Sequence, residues 1–242
     1  MTTSHPTFPA YSVEDAQREV VVSVIKYGDD ADQVLEFYGE STANKPTLVL
    51  IHGGYWRHLF DREHMRPLAV ALAKEGYLVV LPEFRRVAGE PETTLRDLAF
   101  AISTLEDSKI TLIGYSSGGH LALLLADKFP NVKKVIGLAP VTDLIESQRR
   151  GLGREAVAEW LGVDAAMRPE LDPMVRPALA SEVHFIHGNQ DERVPLELSE
   201  RYVSVMKEQD KSITLNVLEG VSHFQMMDVP SPTYTAIISA IN

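Results

Sequence analysis

Residues 110–126, ITLIGYSSGGHLALLLA, decide the fold of this chain. The first five residues form an apolar, β-branched run between Lys109 and Gly114, a pattern typical of a short buried strand. From Leu121 onward, apolar helix-forming residues on every side predict a buried helix. The turn between them has the spacing G-x-S-x-G with Ser116 at its centre, which is the pattern of a nucleophile elbow.

The spacing of this turn has a physical cause. A serine in a sharp strand-to-helix turn needs small neighbours two positions before and after it, because the two backbones converge there. The turn presents the Ser116 hydroxyl over the end of the sheet, and the free N–H groups of the helix face any negative charge beside it. A glycine-rich turn with an ordinary N-cap serine is the alternative, and the flanking strand and helix favour the nucleophile.

Apolar strands alternate with helical segments along most of the 242 residues. Strands are expected at 47–51, 77–81, 110–114, 134–138, 183–186 and 213–218, and helices at 61–74, from Thr93 or Thr94 to 106, at 195–208 and at 232–241. Strands separated by helices of this length predict right-handed crossovers and a parallel sheet. Residues 19–27 and 33–38 flank a turn and predict an antiparallel hairpin at the sheet edge. We therefore expect an α/β fold with about eight mostly parallel strands and helices on both faces.

Two segments depart from this alternation. Residues 140–181 are charged and proline-rich around one expected helix at 154–161. An insertion between two sheet strands lies over their carboxyl edge, so we expect a small lid or substrate wall here. Residues 1–16 are expected to form a proline-bearing N-terminal arm. We find no linker that would divide residues 1–242, which predicts a single domain.

The composition restricts the partners. A formal net charge of −11 argues against nucleic acids and anionic membranes. The absence of cysteine excludes disulfides, thiolate metal sites and a cysteine nucleophile. The chain shows neither a signal-peptide pattern nor an apolar run of about 18 residues. We expect a cytoplasmic protein that acts on a small molecule with no metal or organic cofactor, and we retain a homodimer as a candidate assembly.

A serine nucleophile needs a base, and the base needs an acid that orients it. In an α/β sheet these residues follow the carboxyl ends of strands in the order Ser, Asp or Glu, His. Asp191 follows the strand that ends near 187, and His223 follows the strand that ends at 218. We therefore predict that Ser116, Asp191 and His223 are catalytic.

Other acidic residues and histidines have less favourable positions. Glu192 is expected to point away from the histidine, and Asp143 has the features of a helix N-cap. Asp228 stands too close in sequence to the histidine to reach its ring. His120, one helical turn beyond the serine, is expected to pack beneath the elbow. Four further histidines are expected in ordinary surface or strand contexts: His5, His58, His64 and His184.

An oxyanion hole needs two N–H groups directed at the developing negative charge. One should come from Ser117, the residue after the nucleophile. The other should come from the loop HGGYW at 52–56, which follows the 47–51 strand. Adjacent glycines allow this backbone to turn its amides inward.

From about Glu19 to the C-terminus, the chain resembles the α/β-hydrolase fold family. The HGGYW run is similar to the HGGxW motif of kynurenine formamidases, which are relatives of the hormone-sensitive-lipase-type esterases. GYSSGGHLA at 114–122 resembles the elbow of that family. The resemblance implies that the N–H groups of Gly54 and Tyr55 form the oxyanion hole, and that Asp191 and His223 complete the triad. FRRVAGE at 84–90 departs from the Tyr-Arg-Leu-Ala-Pro run of esterase relatives, so we expect a different wall there.

These features predict a serine hydrolase that acts on a small amide or ester through an acyl-enzyme intermediate. We favour an arylformamidase acting on N-formylkynurenine-like substrates, with Tyr55 and Trp56 as aromatic surface at the pocket mouth. Trp56 is the candidate substrate-binding residue. A short-chain carboxylesterase is the alternative, and a catalytically inactive hydrolase-fold binding protein is a more remote one.

Overall fold

A computed structural model describes residues 11–42, 44–105, 109–175, 182–209 and 212–242. The strands in these ranges are β1 (Val22–Lys26), β2 (Val34–Tyr38), β3 (Thr47–Ile51), β4 (Val79–Pro82), β5 (Ile110–Tyr115), β6 (Val132–Leu138), β7 (Glu182–Gly188) and β8 (Ile213–Leu218). They form one sheet in the order β1-β2-β4-β3-β5-β6-β7-β8.

The sheet is antiparallel at one edge and parallel elsewhere. β1 and β2 pair antiparallel, with Val22 opposite Tyr38, and β2 pairs antiparallel with β4. Every other neighbouring pair is parallel. The predicted N-terminal hairpin and the mostly parallel sheet are therefore confirmed.

Helices cover both faces of the sheet. They are α1 (Val13–Gln17), α2 (Arg66–Lys74), α3 (Pro91–Ser103), α4 (Ser117–Ala126), α5 (Leu144–Arg149), α6 (Ala156–Leu161), α7 (Leu196–Glu208) and α8 (Pro232–Ile241). Successive side chains of a strand point to opposite faces. Accordingly, Val49 and Ile51 of β3 join the core that packs on α3, α4 and α7. Leu48 and Leu50 join the core that packs on α2 and α8. Because both faces are covered, the central strands are continuous apolar runs.

Several helix boundaries differ from the expectation. α3 begins at Pro91, because proline is favoured in the first turn, and the Thr94 hydroxyl donates to the carbonyl of Arg85 at 2.8 Å instead of capping the helix. α4 begins directly after the serine rather than at Leu121. Residues 140–175 contain two helices, α5 and α6, where one was expected. α3 ends at Ser103, three residues before the expected end at 106. The expected arm at 1–10 and the last lid residues, 176–181, lie outside the described residues.

No helix within the described ranges is long and apolar enough to cross a membrane.

Candidate active site

Ser116 occupies a strained turn between β5 and α4. Its backbone has φ 55° and ψ −119°, a region that residues with a side chain rarely adopt. The flanking glycines permit this turn: a Cβ on Gly114 would lie 2.3 Å from the carbonyl oxygen of Gly118, and one on Gly118 would lie 2.1 Å from that of Ile51. The G-x-S-x-G spacing is thus required by the close approach of β5, α4 and β3.

The side chains of Ser116, His223 and Asp191 form one hydrogen-bonded row. His223 Nε2 lies 3.1 Å from Ser116 Oγ, and His223 Nδ1 lies 2.6 Å from Asp191 Oδ2. A carboxylate only accepts, so Nδ1 carries the proton and Nε2 presents its lone pair to the hydroxyl. All three side chains are buried. The three residues predicted from the sequence therefore lie together, in an arrangement that can transfer a proton from the serine to the histidine.

The environment of Asp191 keeps it ionised. Burial alone would raise the pKa of this carboxyl, but hydrogen bonds from His187, His223 and a backbone N–H hold its pKa well below the usual range. The N–H groups of Arg193 and Val194 each donate to Oδ1 at 2.8 Å. They fix Oδ1 and leave Oδ2 directed at the imidazole of His223.

A second histidine, which the sequence analysis did not identify, contacts the same carboxylate. His187 is fully buried, and its Nε2 lies 3.0 Å from the carbonyl oxygen of Val194 and 3.3 Å from Asp191 Oδ2. Both are acceptors, so Nε2 is protonated and Nδ1 accepts from the hydroxyl of Ser199 at 2.8 Å. The signal available in the sequence was its place at the end of β7, four residues before Asp191.

Ser199→Ala should lower kcat about tenfold, because the hydroxyl that fixes the tautomer of His187 is lost and Asp191 becomes less well oriented. Ser204→Ala, an exposed serine on the same helix α7, is the matched control and should leave kcat unchanged. The measurement is the steady-state hydrolysis of an activated ester by both variants, together with their melting temperatures. A Ser199→Ala enzyme with full kcat and only a lower melting temperature would assign His187 to stability alone.

The loop after β3 has an unusual backbone. Gly54, Tyr55 and Trp56 have φ values of 126°, 58° and 56°, so two consecutive residues with bulky side chains adopt left-handed conformations. The Arg57 N–H donates to the carbonyl of Gly54 at 3.0 Å and closes this turn. Such strain persists only where surrounding contacts impose it, and it is common at functional sites.

This loop packs directly against the serine. A Cβ on Gly53 would lie 2.9 Å from Ser116 Cβ, so the approach leaves no room for a side chain there. Ser117 is the first residue of α4, where N–H groups have no acceptor within the helix. The two segments that were predicted to supply oxyanion-hole amides therefore both adjoin Ser116.

Arg57 links the loop after β3 to the inserted segment through hydrogen bonds. Its guanidinium donates to the carbonyls of Gly153 and Arg154, each at 2.9 Å, and its Nε donates to Glu159 at 2.8 Å. These bonds join the turn at 54–57 to α6 and the residues before it. Residues 153–159 of the inserted segment, which was expected to form a lid, are therefore hydrogen-bonded to this turn.

The segment FRRVAGE, whose wall was expected to differ from that of esterase relatives, contacts His52 through Phe84 and Arg86. Arg86 forms an ion pair with the buried carboxylate of Glu83, which also lies 3.0 Å from the ring nitrogen of His52. The other ring nitrogen of His52 lies 2.8 Å from the carbonyl oxygen of Gly53. Burial would raise the pKa of Glu83, but His52 and Arg86 hold it well below the usual range. The segment thus supports the loop at 52–56, because Arg86 neutralises the buried charge of Glu83, which contacts His52.

A narrow cavity of about 10 Å³ lies beside the serine, about the room that one water molecule needs. The inserted segment supplies four of the residues that line it, and its role as a lid or substrate wall stays a prediction. The residues that line it are Tyr55, Trp56, Ser116, Ser117, Val141, Ser147, Leu152, Val157, Arg193 and Val194.

Trp56 lines this cavity, but its ring is buried, so the prediction that it forms aromatic surface at the pocket mouth was wrong. Its role in substrate binding stays a prediction. Its side chain is 6% exposed, and its ring stacks on that of Trp160 with the centroids 5.1 Å apart. Trp56 is buried because Trp160 of α6 packs against it, and this contact could not be predicted from the sequence. Tyr55 is less buried and lies nearer to solvent.

His120 is fully buried and packs against Trp56 and the inserted segment. Its ring contacts Trp56 edge to face, and its Nε2 donates to the carbonyl of Leu171 at 2.8 Å. Burial lowers its pKa to about 4. His64, expected in an ordinary context, instead packs against the rings of His52 and Tyr115, and burial lowers its pKa to about 3.

The two nearby acidic alternatives have other roles. Asp143 caps α5 by accepting from the N–H of Glu146 at 2.8 Å, as predicted. Glu192 accepts from the backbone N–H of His223 at 3.4 Å and makes no hydrogen bond to the ring.

Comparison with known proteins agrees with this architecture. Residues 35–206 match the BD-FAE family. The chain is 23% identical over 236 residues to a kynurenine formamidase of Drosophila melanogaster, an alignment that covers 86% of this chain and 76% of the relative. It is 33% identical over 152 residues to the non-reducing polyketide synthase ausA of Penicillium brasilianum, which covers 50% of this chain and only 6% of that protein.

The fold is also that of a solved esterase. The crystal structure of esterase B from Lactobacillus rhamnosis superposes with a TM-score of 0.76 at 21% identity, over 91% of this chain and 84% of the other. The family match spans more than half of the 242 residues. The chain is therefore an α/β-hydrolase that belongs to the BD-FAE family.

Proposed function

We propose that this protein is a serine hydrolase that forms an acyl-enzyme on Ser116, and that aryl formamides such as N-formylkynurenine are its substrates. The hydrogen-bonded row of Ser116, His223 and Asp191 supports the reaction class. The small size of the cavity beside the serine supports the acyl preference, and it is the observation on which the formamide assignment depends.

In the proposed mechanism, Ser116 Oγ attacks the carbonyl carbon while its proton passes to Nε2 of His223. Asp191 keeps the imidazole oriented and stabilises its charged form. The N–H groups of Gly54, Tyr55 and Ser117 stabilise the oxyanion. His223 then gives the proton to the leaving amine, and the C–N bond breaks. Water, deprotonated by the same imidazole, releases the acid from the acyl-enzyme.

The cavity favours the smallest acyl group. A formyl group has only a hydrogen beyond its carbonyl carbon, whereas an acetyl or butyryl group adds carbon atoms that need space. Val141 and Val157, on the inserted segment, are both buried and narrow the cavity beside Ser116. Each methylene that a pocket has to reject costs a factor of about 10 to 200 in specificity. The similarity to the Drosophila kynurenine formamidase supports the same substrate class.

A matched acyl series tests this assignment. We expect kcat/KM for N-formylkynurenine to exceed that for N-acetylkynurenine by about 100-fold, because the leaving group is the same and only the acyl group changes. The esters p-nitrophenyl acetate and p-nitrophenyl butyrate provide a second pair, and the acetate should be the better substrate. Efficient turnover of both esters with no formamide hydrolysis would assign a short-chain carboxylesterase instead.

Labelling with a serine-directed fluorophosphonate separates an enzyme from an inactive binding protein. We expect the label on Ser116, because the oriented imidazole activates its hydroxyl. A folded protein that is not labelled there would contradict the proposed mechanism and favour the binding protein.

A further inference from the structure

Arg193 lines the active-site cavity but has no part in the proposed mechanism. Its backbone N–H donates to Asp191. Its side chain is 37% exposed, whereas Ser116, Ser117 and Ser147 of the same lining are buried. Arg193 therefore lies at the open end of the cavity.

Neighbouring rings fix the position of this guanidinium. Its Cζ lies 5.3 Å from the centroid of the Phe224 ring, a distance at which a cation interacts favourably with an aromatic face. Burial raises the pKa of the Tyr55 hydroxyl, and the nearby positive charge of Arg193 opposes this rise. The contact with Phe224 therefore holds the guanidinium beside the cavity that Arg193 lines.

The donors of Arg193 are only partly used. Its Nε is buried and has no hydrogen-bond partner in the described part of the chain. The Oε1 atom of Glu192 lies 3.5 Å from Nε, too far for a good hydrogen bond, and the Glu192 side chain is itself half-exposed. Because Nε is buried while the side chain is 37% exposed, a ligand with acceptor oxygens would approach the guanidinium at its two terminal nitrogens.

The charges around the cavity also favour an anion. None of the described residues that line it carries a carboxylate, and Asp191 behind it is paired with His223. The chain as a whole has a formal net charge of −11, which repels anions in general. A local, oriented cation is the feature that would reverse this repulsion at the site.

We propose that Arg193 binds a carboxylate carried by the leaving group of the substrate. The inference rests on the proposed serine hydrolase function, in which the small acyl group enters the buried end of the cavity. The leaving group then extends toward the open end, past the guanidinium. A planar guanidinium presents paired N–H donors that match the two oxygens of a carboxylate, so anionic aryl amides or esters are preferred over neutral ones.

Two esters that differ in one carboxylate test the proposal. The quantity measured is the ratio of kcat/KM for 3-carboxyphenyl acetate to kcat/KM for phenyl acetate. Arg193→Gln should lower this ratio about 10-fold or more, and Arg193→Lys should retain part of it. Glu192→Gln should raise the ratio, because the competing carboxylate is removed. Arg18→Gln, which removes an exposed arginine beside Asp15, is the matched control and should leave the ratio unchanged.

Binding of the products gives a readout that needs no turnover. By calorimetry, wild-type protein should bind 3-hydroxybenzoate more tightly than phenol, this preference should weaken as ionic strength rises, and Arg193→Gln should remove it. Equal preference in wild-type protein and Arg193→Gln, or a wild-type preference independent of salt, would overturn the proposal. If neither ester is hydrolysed while the binding preference depends on Arg193, the proposed hydrolase function fails and the carboxylate site stands.

Discussion

Replacing Ser116 by alanine is expected to lower kcat by a factor of about 10⁴ to 10⁶ and to leave the fold intact. The alanine lacks the oxygen that attacks the carbonyl, and among the described residues the Ser116 hydroxyl is the one hydrogen-bonded to Nε2 of His223. The Tyr115 hydroxyl donates to the backbone carbonyl of His223 instead. The measurement is the hydrolysis rate of N-formylkynurenine and p-nitrophenyl acetate under saturating conditions, with circular dichroism to verify folding.

The partner residues should behave as a unit with the serine. His223→Ala should cost about as much as Ser116→Ala, and the double variant should be no slower than either single one. Asp191→Asn should lower kcat by up to about 10⁴, because an amide in place of the carboxylate favours the wrong tautomer of His223. Any of these variants that folds and keeps full activity would remove that residue from the proposed mechanism.

The central part of the fold could be predicted because its causes are local in sequence. The elbow needs a buried strand, two glycines and a helix within 17 residues, and all of them can be read in 110–126. Asp191 and His223 could be placed because each follows an apolar strand, and parallel strands present their carboxyl ends at one edge. The positions of these residues after parallel strands were therefore sufficient to predict that three side chains far apart in sequence lie close together.

The supporting contacts could not be predicted because they depend on packing between distant elements. His187 looked like a strand residue, and its partner Ser199 comes from the far side of the β7–α7 connection. Trp56 is buried because α6 places Trp160 against it, and the inserted segment has no sequence pattern that fixes its path. Arg62 and Arg66, which neutralise Glu36, are likewise distant from it in sequence, because β3 and the loop at 52–56 lie between them.

Glu36 is the centre of a buried ionic network that is linked through Arg62 and Glu83 to the loop at 52–56. Its carboxylate on β2 is fully buried and accepts from Arg62 Nε at 2.8 Å and from Arg66 Nη2 at 2.8 Å. The hydroxyl of Tyr38 donates to the same group. Burial alone would raise the pKa of Glu36, but Arg66 and Arg62 outweigh it and lower that pKa. The carboxylate is therefore charged at neutral pH, and two guanidiniums depend on its charge.

Glu36→Gln should reduce the free energy of unfolding at neutral pH by about 3 to 5 kcal/mol, because two guanidiniums lose the carboxylate charge that compensates their burial. For a chain of this size the melting temperature should fall by roughly 10 °C. Glu182→Gln, which removes an exposed carboxylate 3.8 Å from Lys134, is the matched control and should cost less than about 1 kcal/mol. Equal melting temperatures for the two variants would show that the network contributes no stability.

The difference in unfolding free energy between the wild-type protein and Glu36→Gln depends on pH, in a way that follows from the direction of the Glu36 pKa shift. The folded-state pKa of Glu36 lies below its unfolded value, so the unfolded state binds the proton more readily. The stabilisation is complete above the unfolded pKa, about 4.3, and is lost as pH falls through the folded pKa. The wild-type protein should therefore lose its advantage over Glu36→Gln as the pH falls below about 4. Arg62 also contacts Glu83, whose carboxylate lies beside His52, and His52 in turn contacts Gly53. Glu36→Gln should therefore loosen the loop at 52–56, and its hydrolytic activity should fall at temperatures below its melting temperature.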